Sequence, residues 1–434
     1  MSIGQLLQPF AQVVWGGKNL SSYDDGSGNR MPMAQSVKMT LTKERSAPEC
    51  TFSIYPNPQG FQLFSELKNS SIDESFEISF GYPESKSFKQ SFKFAGVGLA
   101  TGANPQLNIT GVSAVKGCWT DTRISYTMEE EMSLKEFPDF LKKQIGECAG
   151  EINFEFDGQA LEAASEIKIK HNQIQRTPHV ILTNVMRAQG MEVTVGSTAG
   201  RQATIVISYA FNLDGESERA QPNPAGGGAG DSSPTERKIY IVGPHLMTTA
   251  QRTQKFNLGA ESTKAASSKD DRNVNETDTE TIPQPQDASP QSEATADAGR
   301  EAPTIGNANP SDSQTGTTED GSLTKEARVK LSQIITTEIQ MTVPMLPYMV
   351  GVRPRDILAI PSLKGPGDFI EDWEITSVQY SQKDSGGVDI QLQGQRPYIG
   401  EETLMDEGIQ QKVKAQVARL QSLEAWEQFY WSGG

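Results

Sequence analysis

SFEISFGYPESKSFKQSFKFAGVGLATGANPQLNITGVSA, residues 75–114, is the stretch that decides the fold. Phe76, Ile78 and Phe80 alternate with polar residues, the period-two pattern of a half-buried strand. Phe92-Lys93-Phe94 and Leu107-Asn108-Ile109 repeat that pattern, and Gly, Pro and Asn fall between them where turns are needed. Upstream, Ser36–Leu41 places Val37, Met39 and Leu41 on one face, and Thr51–Tyr55 alternates in the same way. A short helix is expected near Gly60–Leu67. Residues 1–125 therefore read as an N-terminal β domain, a barrel or sandwich of short strands.

Downstream the pattern changes. Residues 126–212 read as small α/β modules. Ser133-Leu134-Lys135-Glu136 reads as a capping box, with Phe137, Phe140, Leu141 and Ile145 on one helical face; Pro138 offers an alternative start. Gly146 or Gly150 ends that helix, and Glu151–Phe156 alternates as a strand. Thr177 then caps a second helix, with Pro178 at its first position and Val180, Ile181, Val185 and Met186 as its stripe. Gly190 stops it, and Met191–Val195 with Ala203–Ser208 make a hairpin. Residues 213–323 read as an acidic low-complexity insert, with one strand-like island at Ile239–Val242. Residues 324–400 form a closing β domain with strands at Ile334–Val343, Ile357–Ile360, Trp373–Tyr380 and Val388–Leu392. The last two join at a turn around Asp384-Ser385-Gly386-Gly387. Residues 401–434 hold an amphipathic aromatic helix. Its Trp426, Phe429, Tyr430 and Trp431 either pack on the chain's own domain or dock a partner, since aromatic residues anchor interfaces. The fold class is thus mainly β with α+β modules.

The formal net charge is −16. Residues 261–320 hold four basic and thirteen acidic side chains, a net of −9, which leaves −7 for the rest. That balance excludes binding nucleic acid by neutralising its phosphates, and it suits a surface that must not hold DNA. The three cysteines, Cys50, Cys118 and Cys148, have no C-x-x-C spacing, so neither a disulfide framework nor a zinc site is expected. Neither export by a signal peptide nor a membrane span is expected, because the start lacks a charged stretch followed by an apolar one and no apolar run approaches 18 residues.

No catalytic constellation stands out, and no catalytic, cofactor-binding or metal residue is assigned. Gly226-Gly227-Gly228 lacks the Lys-Ser/Thr of a phosphate loop and reads as a linker. His171, His179 and His245 have no nucleophile and orienting group around them in the pattern. Glu129-Glu130-Glu131, Glu371-Asp372 and Glu401-Glu402 read as solvated charged faces, because sequence neighbours do not face each other across a cleft. Gly365-Pro366-Gly367-Asp368 is a turn signal. An enzyme is not expected, and neither is a cofactor.

The order of elements resembles one family. Residues 75–114, with Phe94-Ala95-Gly96 in the place of an F-x-G strand, look like the opening β domain of contractile-tail baseplate hub proteins, the late-control-D-like group. SLKEFPDFLKKQIGE followed by INFEF resembles that family's helix–strand module, and TPHVILTNVMRAQGMEVTV its next helix and strand. RPRDILAIPSLKGPGDFIEDWEITSVQYSQKDSGGVDIQLQGQ resembles its closing hairpin, where Trp373, Ile375, Val378 and Tyr380 match a W-x-I-x-x-V-x-Y strand. The likeness covers roughly residues 30–210 and 325–398; the long insert and the C-terminal helix depart from it. It implies two tube-type β domains in each chain and a homotrimeric ring that adapts a sixfold tail tube to a threefold central spike. The hub part of type VI secretion spike proteins is related. The implied partners are the tail tube or a tube-initiator protein, the central spike, and wedge or other baseplate proteins in a virion tail. DNA would only pass through the channel, and the chain itself would not insert in a membrane. The alternatives are a tail-borne carbohydrate-binding protein and a cell-wall-degrading protein.

Overall fold

The computed structural model describes chiefly residues 9–21, 34–43, 48–54, 75–82, 87–101, 105–146, 151–189, 191–199, 202–209, 237–243, 246–256, 335–361, 370–383 and 387–397, with isolated residues between. The fold is mainly β with small helical modules, as the alternating patterns predict.

The first unit has six principal strands: β1 (Phe10–Trp15), β2 (Ala34–Thr42), β3 (Glu49–Ile54), β4 (Ser75–Gly81), β5 (Ser87–Ala100) and β6 (Gln106–Val112). They lie in the order β1-β4-β5-β6-β3-β2, all neighbours antiparallel. Alternation works as expected: Val37, Met39, Phe52, Ile54, Phe76, Ile78 and Phe80 are all buried. Trp15 packs against Phe52, Phe76 and Phe94 with ring centroids 5.1–6.5 Å apart. Large offset and tilted rings of this kind supply most of a small core's apolar area. Gly111 is dictated by that packing, because a Cβ there would lie 2.3 Å from the Phe76 ring.

Next comes the module. It holds β7 (Ile124–Thr127), α1 (Phe137–Ile145), β8 (Glu151–Phe156), α2 (Gly158–Glu166), β9 (Asn172–Arg176), α3 (Pro178–Ala188), β10 (Met191–Ala199) and β11 (Gln202–Tyr209). β10 and β11 form the expected hairpin, and β8 lies parallel to β11. The module has its own apolar core, centred on Trp119, Leu134, Phe137, Leu141, Ile181, Val185, Ile205 and Ile207. Three expectations change here. The first helix starts at Phe137 with Pro138 in its first turn, and Ser133 does not cap it; the Ser133 hydroxyl donates instead to Ala164 O at 2.9 Å. Val180 is exposed, while Leu182 takes the place expected for it in the buried stripe of α3. Cys118 and Cys148 are bonded to each other with Cα atoms 5.5 Å apart, an ordinary disulfide separation, whereas sequence spacing gave no reason to pair them.

The second unit also has six principal strands: β12 (Arg237–Ile241), β13 (Thr249–Phe256), β14 (Ile335–Pro344), β15 (Ile357–Pro361), β16 (Ile370–Gln382) and β17 (Val388–Pro397). β12 and β13 lie in the stretch expected to be insert, where only Ile239–Val242 had been read as a strand. Their order is β12-β15-β16-β17-β14-β13. Numbered within each unit, both sheets read 1-4-5-6-3-2. One direction differs, since β12 runs parallel to β15 whereas β1 runs antiparallel to β4.

Register sharpens the repeat. In each unit strand 5 pairs strand 4 along its first half and strand 6 along its second. A bulge interrupts the pairing with strand 6 in both, between Phe94 and Gly96 in β5 and between Ile375 and Ser377 in β16. The residue opposite the bulge is a glycine in both, Gly111 and Gly394, and a Cβ on either would come within 3 Å of a neighbouring side chain. The β16 bulge also explains the W-x-I-x-x-V-x-Y spacing. One extra residue between Ile375 and Val378 restores the alternation, so all four of Trp373, Ile375, Val378 and Tyr380 are buried.

The two units are joined. β2 pairs antiparallel with the second half of β16, from Ser377–Thr42 to Ser381–Lys38. Phe80 and Phe88 of the first unit stack on Tyr380 of the second at 5.2 and 5.6 Å, and one apolar core runs through both.

Candidate functional site

The seam between the units is where the chain concentrates its buried charge. β16 changes partner there, from β15 over Ile370–Glu374 to β2 over Ser377–Ser381. The bulge residue Thr376 offers its carbonyl to the Lys43 N–H at 2.7 Å, just past the end of β2. Lys43 is 8% exposed. Its ammonium donates to Glu374 of β16 at 2.9 Å and also pairs with Glu192 of β10, so one cation binds both units and the module. Arg237 lies 4.0 Å from the other Glu374 oxygen. Burial pushes the Glu374 carboxyl up, but Lys43, Arg237 and Arg355 together outweigh it and hold it below the usual carboxylate range.

The turn before β15 completes the cluster. Arg355 has φ +81, a conformation that costs a non-glycine residue about 1–3 kcal/mol. The Arg355 N–H donates to Ile375 O at 2.7 Å, and the Ile375 N–H donates to Asp356 O at 2.8 Å, which clamps the turn to the bulge. The Asp356 carboxylate accepts from the Arg353 N–H at 2.8 Å and the Lys238 N–H at 3.0 Å. Its pKa is still raised to about 6, because burial outweighs those bonds. Arg355 is lowered to about 10 by burial and by Arg237. Glu371-Asp372, expected on a solvated face, is half-buried and buried respectively; Asp372 is 0% exposed, with Arg396 at 3.7 Å.

This cluster is built for positioning. It brings opposed charges together, with Glu374 Oε1 and Arg355 Nε and Nη2 left without hydrogen-bond partners, and among the described residues it sets no nucleophile beside a base. The remaining groups named from the sequence fall elsewhere. His171 is buried in the module, its Nδ1 2.7 Å from the Tyr126 hydroxyl, and burial lowers its pKa to about 4. His179 lies beside Trp119, 6.4 Å between rings. Glu129, Glu130 and Glu131 are exposed, as expected. Cys50 is a buried thiol whose pKa burial raises. Among the described residues no group of three or more His, Cys, Asp or Glu is placed to hold a metal ion, and no helix is long and apolar enough to cross a membrane. Trp426, Phe429, Tyr430 and Trp431, His245, Gly226–Gly228, Gly365–Asp368 and Glu401-Glu402 lie outside the described residues, as do most of 60–67 and of the C-terminal helix.

No family model matches the chain, and no curated protein matches it. Among solved structures it is similar to a tail protein from Neisseria meningitidis MC58, with TM-score 0.49, 10% identity, and coverage of 90% of this chain and 97% of the other. It is similar to the 43 kDa tail protein of prophage MuSo2 from Shewanella oneidensis, with TM-score 0.46, 13% identity and coverage of 89% and 98%. It is also similar to an E. coli component of the type VI secretion system described as resembling the T4 bacteriophage tail proteins gp27 and gp5. There the TM-score is 0.45, the identity 8% and the coverage 90% and 78%.

Proposed function

We propose that this chain is a non-catalytic structural hub of a contractile phage tail baseplate. Three copies form a ring that joins a sixfold tail tube to a threefold central spike and leaves a channel for DNA. The observation that carries this reading is the repeat: two units with the same 1-4-5-6-3-2 strand order lie side by side in one sheet. A threefold ring of chains, each with two like units, presents six like units to a sixfold tube and three chains to a threefold spike. The buried seam supports it. A fixed angle between the units is needed for the ring to close, and a cation bonded to both units and the module holds that angle. The chain's net negative charge suits a channel through which DNA passes without sticking. Partners in this role are the tube or its initiator, the spike and neighbouring wedge proteins. Trp426, Phe429, Tyr430 and Trp431 are the proposed docking anchors on the C-terminal segment.

The test is electron microscopy and light scattering of the purified protein at micromolar concentration, alone and with tube or spike protein. Rings of three chains with six repeated lobes are expected. A monomer under every one of these conditions would remove the hub reading.

A further inference from the structure

A disulfide ties the exit of the first unit to the module. Cys118 lies in the turn Gly117–Asp121, which follows β6 and leads the chain out of that unit. Cys148, its partner, lies between the end of α1 at Ile145 and the start of β8 at Glu151. The same stretch is anchored on its other side. The Ser113 N–H donates to Pro48 O at 3.1 Å, and Lys116 pairs with Glu49 of β3 at 2.7 Å. Residues 113–118 are thus held to the first unit by polar bonds and to the α1–β8 link by sulfur. The turn keeps its seat without the bond. Trp119 is fully buried, packs on Phe154 of β8 with ring centroids 5.7 Å apart, and lies 6.4 Å from the His179 ring of α3. That apolar anchor remains when the sulfurs part. The Cys118 sulfur is also 3.3 Å from Val115 O, so a reduced thiol finds an acceptor already in place. Both redox states therefore have a settled local structure.

Access to the two sulfurs is unequal. Cys118 is 8% exposed, whereas Cys148 is half-buried, so a thiolate from solution reaches Cys148 first. Exposed disulfides are the labile ones. Cys50 does not compete, because it lies in the core of the first unit. We propose that Cys118–Cys148 is a redox-operated clasp. Closed, it locks the α1–β8 link of the module to the exit of the first unit. Opened by a small-molecule thiol, it frees that link while both parts stay folded. The two apolar cores are separate, so the chain can loosen at this point without unfolding either. In opening, one thiolate attacks the Cys148 sulfur, the bond between the protein sulfurs breaks, and Cys118 leaves with the electron pair and takes up a proton from water. A second thiolate attacks the small-molecule sulfur of the mixed disulfide. That step releases Cys148, which is protonated in turn, and a small-molecule disulfide. Two electrons pass to the protein, and closure is the reverse with the small-molecule disulfide as oxidant. The clasp does not rest on the hub reading.

The test places the full chain in glutathione buffers that run from excess thiol to excess disulfide. Free thiols are trapped by alkylation and read by mass spectrometry, and hydrogen exchange and far-ultraviolet spectra are taken on the same samples. Cys118 and Cys148 should be alkylated together in the reducing buffer and protected together in the oxidising one, reversibly and with an unchanged spectrum. Amide exchange at residues 113–121 and 144–151 should be about tenfold to a hundredfold slower in the closed state, because the bond closes a loop with a sequence separation of 30. Cys118→Ser/Cys148→Ser should match the reduced wild type in both buffers. A pair that stays bonded in the reducing buffer, or never bonds in the oxidising one, would overturn the clasp. Equal exchange in the two states would overturn it as well. Loss of the far-ultraviolet signal on reduction, or a double variant that does not fold, would make the bond a requirement of folding and would also sink the proposal.

Discussion

Replacing Glu374 by glutamine removes one negative charge from the centre of the seam and nearly preserves its shape. Glu374 is 1% exposed and faces three cations: Lys43 at 2.9 Å, Arg237 at 4.0 Å, and buried Arg355. Breaking a buried ion pair from one side costs about 3–5 kcal/mol, because the other charge is left without its partner. Lys43 keeps Glu192, so the lower end applies, and Glu374→Gln should destabilise by about 3 kcal/mol. Lys43→Met should cost a similar amount, since Arg237 is too far away to replace it. The double variant K43M/E374Q should then cost only about 3–4 kcal/mol, a coupling of roughly 2–3 kcal/mol between the two sites. Urea unfolding followed by tryptophan fluorescence at pH 7 measures all three. The pair should also be indifferent to salt between about 0.1 and 1 M, where exposed pairs are screened. Additive single costs, or either one below about 1 kcal/mol, would refute the idea that Lys43 and Glu374 hold the seam as a unit.

Gly111→Val and Gly394→Val should each lower stability by at least about 1–3 kcal/mol through overpacking, while Gly98→Ala, with no atom within 4 Å of its Cβ, should be neutral in thermal melts. His171 contributes a pH dependence with a definite sign. Its folded pKa of about 4 lies below the usual 6.5, so the unfolded chain takes up a proton first and stability falls as pH drops from 6.5 towards 4. Between pH 7 and 5 the stability gap between wild type and His171→Gln should narrow by about 2 kcal/mol in urea titrations; a constant gap would show that His171 titrates normally.

Much of the fold was legible because alternation is a local property. Val37-Met39-Leu41 and Phe76-Ile78-Phe80 each define a face without reference to anything distant, and Thr177-Pro178 marks a helix start by its own chemistry. The repeat was implied by the family resemblance but not legible in the residues themselves. Equivalent positions hold different apolar residues, such as Phe52 for Met341 and Cys50 for Ile339, and what they share is a register that pairing alone reveals. β13 was hidden for another reason. TAQRTQKF lies at a sheet edge with its described residues exposed, so it carries little apolar signal and resembled the linker around it. The buried seam was the hardest to see. Glu371-Asp372 and Glu374 look like surface charge in a strand, and what makes their burial tolerable is cations brought from other strands: Arg252 to Glu371, Arg396 to Asp372, and Lys43, from more than 300 residues away, to Glu374.

The repeat also fixes where the acidic stretch belongs. In the first unit, strands 2 and 3 are joined by a short link between Thr42 and Glu49. In the second unit the same connection runs from Phe256 to Ile335, which are themselves paired neighbours, so residues 257–334 leave and re-enter the sheet at one point. Nothing in the pairing of β13 and β14 requires so long a path. Replacing these 78 residues with a link of about four should therefore preserve the sheet. Loop-closure entropy grows by about 0.6 kcal/mol per doubling of length, so a shortening of slightly more than four doublings should stabilise the chain by about 2–3 kcal/mol. Urea unfolding of the shortened chain measures this. A gain of that size would make the insert a passenger of the fold, free to serve partner binding. A loss would mean that residues 257–334 make contacts that hold the second unit together, and the insert would then have to be counted as part of its core.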